Sequence, residues 1–145
     1  MTAEEMWDVF VKTNRPQEKA YEAWAFGGAP DELAALVLQG EKTATSSAYD
    51  LYAQGKEPLP KAGEYSVILN TKGEAVCVIR TTKVYVVPFF MVTEPHARKE
   101  GEGDKSLAHW RKVHAAFFAA CLQEAGLPFC ETSKVVCEEF KVVYQ

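Results

Sequence analysis

Lys42-Thr43-Ala44-Thr45-Ser46-Ser47 places a lysine directly ahead of a run of hydroxyls, just past Gly40. Lys42 and Thr45 can share a face where the backbone turns, and an amine without its proton can activate such a hydroxyl as a nucleophile. A lysine holds its proton to about pH 10 unless burial or a neighbouring cation intervenes, and a protonated lysine binds anions instead. The same residues also read as a solvated lysine beside strand-forming threonines. Far along the chain, Glu100-Gly101-Glu102-Gly103-Asp104-Lys105-Ser106 supplies carboxylates. Glu100, Glu102 and Asp104 alternate with other residues as oxygen ligands of magnesium or manganese do, and equally as the acids of a solvated loop do.

These two segments need elements to hold them. Thr2-Ala3-Glu4-Glu5 has the form of a capping box, and Met6, Trp7, Phe10 and Val11 make one apolar stripe, so a docking helix is expected up to Asn14-Arg15-Pro16. A second helix is expected from Gln17 to Phe26, stopping at Gly27-Gly28. A third starts at Pro30, buries Leu33, Leu36 and Val37, and takes Gly40 as its C-terminal cap, which sets Lys42 just beyond a helix end. Thr43 to Ser47 reads as a short strand, and Tyr49, Leu51 and Tyr52 pass into one helical turn before Gly55. Tyr65 to Leu69 and Ala75 to Ile79 flank Asn70-Thr71-Lys72-Gly73, a hairpin signal. Strand continues from Thr81 to Val87 until Pro88, which has no donor for a ladder. Phe89 to Val92 reads as an apolar plug and Glu94 to Lys99 as a short helix. The longest helix is expected to start at Asp104 as N-cap and to carry Leu107, Trp110, Val113, Phe117, Cys121 and Leu122 on one stripe until Gly126. Val135 to Tyr144 supplies a last strand. Strands around hairpins with helices before and among them predict an α+β domain.

A chain of 145 residues with 48% hydrophobic composition fits one domain spanning residues 1–145. Its net charge of -4 excludes a generic polyanion binder; no DNA partner is expected, and any nucleic-acid contact must be local. The apolar stretches Val76 to Ile79 and Val84 to Met91 fall far short of the roughly 20 residues a membrane span needs. The acidic start does not resemble a secretory signal, so a cytoplasmic protein without a membrane partner is expected. Cys77, Cys121, Cys130 and Cys137 are widely spaced and match neither a zinc site nor a disulfide framework; reduced, largely core-packed thiols are expected, with no metal and no cofactor. Trp7, Trp24 and Trp110 read as core aromatics, His114 as a core histidine beside Trp110 and Phe118, and His109 as a surface residue. His96 precedes the acidic loop and can reach a cleft there, with no partner that spacing identifies.

The succession of helix, Gly40-x-Lys42-x-x-Thr45-Ser46, a strand-rich middle, and Glu100-Gly-Glu102-Gly-Asp104-x-Ser106 followed by Trp110 and His114 resembles the ASCH family of the PUA-like superfamily, over nearly the whole chain. The resemblance implies a PUA-like small open β-barrel flanked by helices, here with an N-terminal helical extension. It is similar to the stand-alone bacterial ASCH proteins, some of which are amidohydrolases on N4-acetylcytidine, and the lysine, threonine and glutamate of that site match Lys42, Thr45 and Glu100. The resemblance therefore implies a nucleoside- or RNA-directed hydrolase. In that reading Thr45 attacks the acyl carbonyl, Ser46 or backbone amides hold the oxyanion, and Tyr49, Glu102 and Asp104 complete the substrate contacts. A carboxylate beside Lys42 favours the ammonium and opposes its use as a base, unless Glu100 is protonated or bonded to substrate. The resemblance also implies two alternatives: an RNA-binding module in which Lys42, Arg80, Lys83, Arg98, Lys99 and Lys105 meet phosphates, and a ribonuclease.

Overall fold

Thr2 opens the first helix as the sequence predicts: its hydroxyl accepts the Glu5 amide at 3.1 Å, and the Glu5 carboxylate accepts the Thr2 amide at 3.2 Å. Two amides that a helix start leaves without partners are thereby satisfied. In the computed structural model, which describes residues 1–145, this helix, α1 (Ala3–Asn14), ends where Arg15 turns left-handed ahead of Pro16. Met6, Trp7 and Phe10 bury against Tyr65, Val67 and Val78 of the sheet.

The order continues β1 (Tyr21–Trp24), α2 (Pro30–Leu38), β2 (Ala44–Ala48), α3 (Tyr49–Gly55), β3 (Tyr65–Leu69), β4 (Ala75–Pro88), a 3-10 turn (Phe89–Met91), α4 (Glu94–Glu100), α5 (Leu107–Glu124) and β5 (Lys134–Tyr144). The helix expected over Gln17 to Phe26 is absent. Tyr21–Trp24 is instead an edge strand running parallel to β3, with Tyr21 opposite Tyr65 and Trp24 opposite Ile68. A stretch this short has no resolvable period, and its aromatics are drawn into the sheet by packing, with Trp7 stacked on Tyr21 at 4.7 Å.

The five strands form one sheet in the order β1-β3-β4-β5-β2. The β3–β4 hairpin closes through Asn70 to Gly73 as expected. Register shifts between Val78 and Ile79 and between Thr81 and Lys83 bend the long β4, so that its start lies between β3 and β5 while its end pairs with β5 down to Pro88 and Lys134. The result is an α+β fold with a small, curled sheet that does not close: β1 and β2 are its free edges.

Helix α5 begins later than expected. Ser106, not Asp104, is the N-cap; its hydroxyl accepts the His109 amide at 3.1 Å, while the Asp104 carboxylate accepts the Ser106 amide at 2.9 Å. The buried row is Trp110, His114, Phe118 and Leu122, leaving Val113 exposed. Trp110, Phe118 and Leu122 of this row pack with Phe89, Val92, Ala97 and Cys137 into the largest core cluster, and His114 stacks on Trp110. The expected plug is half realised, since Phe90 and Met91 lie exposed. All four cysteines are free, with Cys77 and Cys137 buried and Cys130 exposed. No helix is long and apolar enough to cross a membrane.

Candidate active site

Gly40, at φ +77, ends α2 with a left-handed turn, and the amides of Glu41 and Lys42 both donate to the Leu36 carbonyl at 2.9 and 3.1 Å. This closure turns Lys42 inward. The chain then joins the rest of the fold: the Thr43 amide donates to the Lys99 carbonyl at 2.7 Å and its carbonyl accepts the Phe140 amide at 3.0 Å. Opposite it, α4 ends at Gly101 with φ +73, where any Cβ would collide with the Glu41 carbonyl. Glycine is required there both for the backbone conformation and for the close approach that brings Glu100 to Lys42.

Lys42 and Glu100 are each only 1% exposed. The Lys42 Nζ donates to Glu100 Oε1 at 3.2 Å and to Glu102 Oε2 at 2.9 Å, and lies 5.3 Å from the centre of the Phe26 ring. Glu100 Oε2 accepts from the Ser46 hydroxyl at 2.5 Å, the Trp110 indole N-H at 2.6 Å and His96 Nε2 at 2.9 Å. Its other oxygen lies 3.5 Å from His114 Nε2. His114 is fixed from the far side by a 2.9 Å contact of Nδ1 to the Trp110 carbonyl and by stacking on the Trp110 ring at 4.3 Å. His96 Nε2 also lies 2.7 Å from the Ser46 hydroxyl, while its Nδ1 has no partner.

Burial alone would protonate Glu100, but the hydrogen bonds from His114 and His96 and the charge of Lys42 outweigh it and hold the carboxyl well below its ordinary range. Burial likewise disfavours charge on His114, and its bond to Glu100 and that carboxylate's charge reverse the sign, raising it. Glu100 is thus an ionised hub that orients cations and donors around it.

The structure brings Lys42, Ser46, Glu100 and Glu102 together around a cavity of about 340 Å³, which Thr45 also borders and whose apolar walls include Phe26 and Phe117. Lys42 makes its side-chain bonds to the two glutamates, not to Thr45. The hydroxyl that meets Glu100 is that of Ser46; Thr45 follows the opposite alternation of β2, paired across from Glu138. Tyr49 lies outside the cavity, under the Lys134 ammonium at 5.0 Å. Asp104 is exposed and engaged with the Ser106 amide.

The residues of this site that spacing did not identify are His96, Trp110 and His114. Their signal was present in part: His96 precedes Glu100 by four residues, Trp110 precedes His114 by four, and a buried indole N-H requires an acceptor. Ligand atoms of Glu100, Glu102 and His114 lie within 4.8 Å of one another. The Lys42 ammonium already bridges the two carboxylates, so a divalent cation there would have to displace it, and Asp104 is not in the group.

An ASCH domain from Lactobacillus crispatus superimposes with a TM-score of 0.87 at 33% identity, over 97% of this chain and 96% of that one. A protein from Enterococcus faecalis gives 0.88 at 36% identity, over 97% and 87%. An ASCH protein from Zymomonas mobilis, at 10% identity and a TM-score of 0.52 over 83% and 65%, shares the fold. No match was found among curated proteins. The family model of the ASCH domain matches residues 22–144, and the chain belongs to the ASCH domain family.

Proposed function

We propose that this protein hydrolyses an amide on a modified nucleoside, an N4-acetylcytidine-like substrate, in the cavity between Lys42 and the Glu100–Glu102 loop. The carrying observation is the buried Lys42–Glu100–Ser46 cluster at the floor of a cavity of about 340 Å³, the size class of small-ligand sites. Three carboxylates, Glu32, Glu100 and Glu102, against the Lys42 ammonium, with His109 and His114 also on the lining, favour a neutral nucleoside over a phosphate-bearing polymer. Phe26 and Phe117 supply faces for a base.

Between two carboxylates, Lys42 acts as an ammonium donor to the acyl oxygen as it becomes an oxyanion, a contribution worth about 3 to 4 kcal/mol per donor in such sites. Thr45 borders the cavity without contacting Lys42 or Glu100 in the free protein, and it is the proposed nucleophile once substrate lies between them: its oxygen attacks the acyl carbon while its proton passes to Glu102, the half-buried carboxylate that borders the same cavity. Collapse breaks the C-N bond, the proton goes to the leaving amine, and water hydrolyses the acyl-threonine. Glu100 holds Lys42 and Ser46 in place. The test is hydrolysis of N4-acetylcytidine followed by absorbance, comparing wild type with Lys42→Ala, Thr45→Ala, Ser46→Ala and Glu100→Gln. Turnover lost in Lys42→Ala and Thr45→Ala with folding intact supports the reading, and no turnover by wild type overturns it.

RNA binding without catalysis is the second reading. Arg80 and Lys83 favour it, since they sit over Tyr65 and Tyr85 at 5.3 and 5.2 Å without a carboxylate partner. Lys42, Arg98, Lys99 and Lys105, by contrast, are each engaged by a glutamate. Affinity that falls with salt through Arg80 and Lys83 would identify this activity.

A further inference from the structure

The sheet is open between its edge strands, and a groove of about 1010 Å³ occupies that opening, with residues 20–27 on one wall and 45–48 on the other. It adjoins the smaller cavity through Phe26, Thr45, Ser46 and Phe117, which border both. Five carboxylates line it, those of Glu18, Glu22, Glu57, Glu64 and Glu138, and no lysine, arginine or histidine does. The remaining wall is largely apolar and includes Trp24, Phe26, Leu51 and Phe117, while the Tyr21 and Tyr65 rings at its border pack on Trp7 of α1. The cations at its border are Arg80 and Lys42, each 5.3 Å from the centre of the ring of a bordering residue, Tyr65 and Phe26, and Lys42 is already paired with Glu100 and Glu102.

Carboxylates repel an anionic ligand, and aromatic faces add attraction for a cation once water is excluded. Glu138 sharpens the case. It is half-buried, no basic side chain forms an ion pair with it, and burial pushes its carboxyl up to about 7. A cationic ligand would supply the missing counter-charge.

We propose that this groove binds a small amphipathic organic cation, an ammonium on an apolar body, with Glu138 as counter-ion and the Trp24 ring as its aromatic wall. The ligand is a free amine, and the assignment stands independently of the amide hydrolysis proposed for the neighbouring cavity.

The experiment is a calorimetric titration of the whole chain near pH 8 with phenylbutylamine, phenylbutanol and phenylbutyrate, which share a body and differ in charge. The Trp24 indole resonance is followed by NMR in the same series. Wild type is expected to bind the amine at least ~10-fold more tightly than the alcohol, to ignore the carboxylate, and to shift the Trp24 resonance. Glu138→Gln is expected to abolish the amine's advantage over the alcohol. The exposed pair Glu22→Gln with Glu64→Gln, which leaves the sheet floor intact, is expected to reduce it. Equal affinity for amine and alcohol, binding of the carboxylate, no binding of the amine, or binding without a Trp24 shift would each overturn the assignment.

Discussion

Replacing Glu100 by glutamine removes one charge and almost no volume, so its effect isolates the electrostatic role of the hub. The native carboxylate receives Ser46, His96 and Trp110 on one oxygen and Lys42 and His114 on the other. A glutamine has one acceptor oxygen and a donor NH2 group, so either orientation sets donor against donor at two or more of these contacts. Removing one partner of a buried ion pair costs about 3 to 5 kcal/mol, because the remaining charge stays buried. In a domain of 145 residues that corresponds to a fall in Tm of roughly 6 to 20 °C. The sign of the pH dependence follows as well. Because the folded carboxyl lies well below its ordinary value, the unfolded chain binds more protons at acid pH, and this stabilisation is fully present above about pH 5 and lost as pH falls through the folded value. Glu100→Gln should therefore flatten the acid limb of stability against pH. Urea unfolding of wild type and variant from about pH 3 to 7 measures both quantities. A loss below about 1 kcal/mol at neutral pH, or an unchanged acid limb, would refute the ionised-hub account.

Gly101→Ala should destabilise by about 2 kcal/mol or more and disrupt the site as well, since the added methyl meets the Glu41 carbonyl and the position has φ +73; urea unfolding and Lys42-dependent activity read both effects. His114 should titrate above the ordinary histidine value in wild type and fall in Glu100→Gln, because its bond to that carboxylate raises it against burial; an NMR titration of the ring resonances that shows no fall refutes the pairing. Its stabilising contribution is present below about pH 6.5 and lost as pH rises through the raised value. Glu138→Gln should stabilise the protein at about pH 8 by about 1 to 3 kcal/mol and leave stability near pH 4 little changed. The folded carboxyl, pushed up to about 7 by burial, binds more protons than the unfolded one, so wild type loses stability as pH rises from about 4.5 to 7.

What the sequence determined by itself is what lies within a turn or a hairpin. The Thr2–Glu5 cap, the end of α2 at Gly40, the hairpin at Asn70 to Gly73 and the stop at Pro88 each depend on neighbours a few residues away, and each is where the residues predict. The two polar segments that form the site were legible too, because lysine and glutamate in glycine-bounded motifs are unusual candidates for a core and match a family pattern. Tertiary structure decided the rest. The strand at Tyr21–Trp24 exists because β3, more than 40 residues away, offers it a parallel partner. The start of α5 moved from Asp104 to Ser106 because the asparate-to-serine turn and the serine cap both found amide partners. Lys42 and Glu100, 58 residues apart, meet only because Gly101 lets two backbones come closer than any side chain would permit. That same approach turns Trp110, His96 and His114 from core fillers into ligands of one carboxylate, and selects the Ser46 hydroxyl over that of Thr45 for contact with it. Local sequence carries the propensity of a segment; which atoms share a buried site depends on packing across the whole sheet.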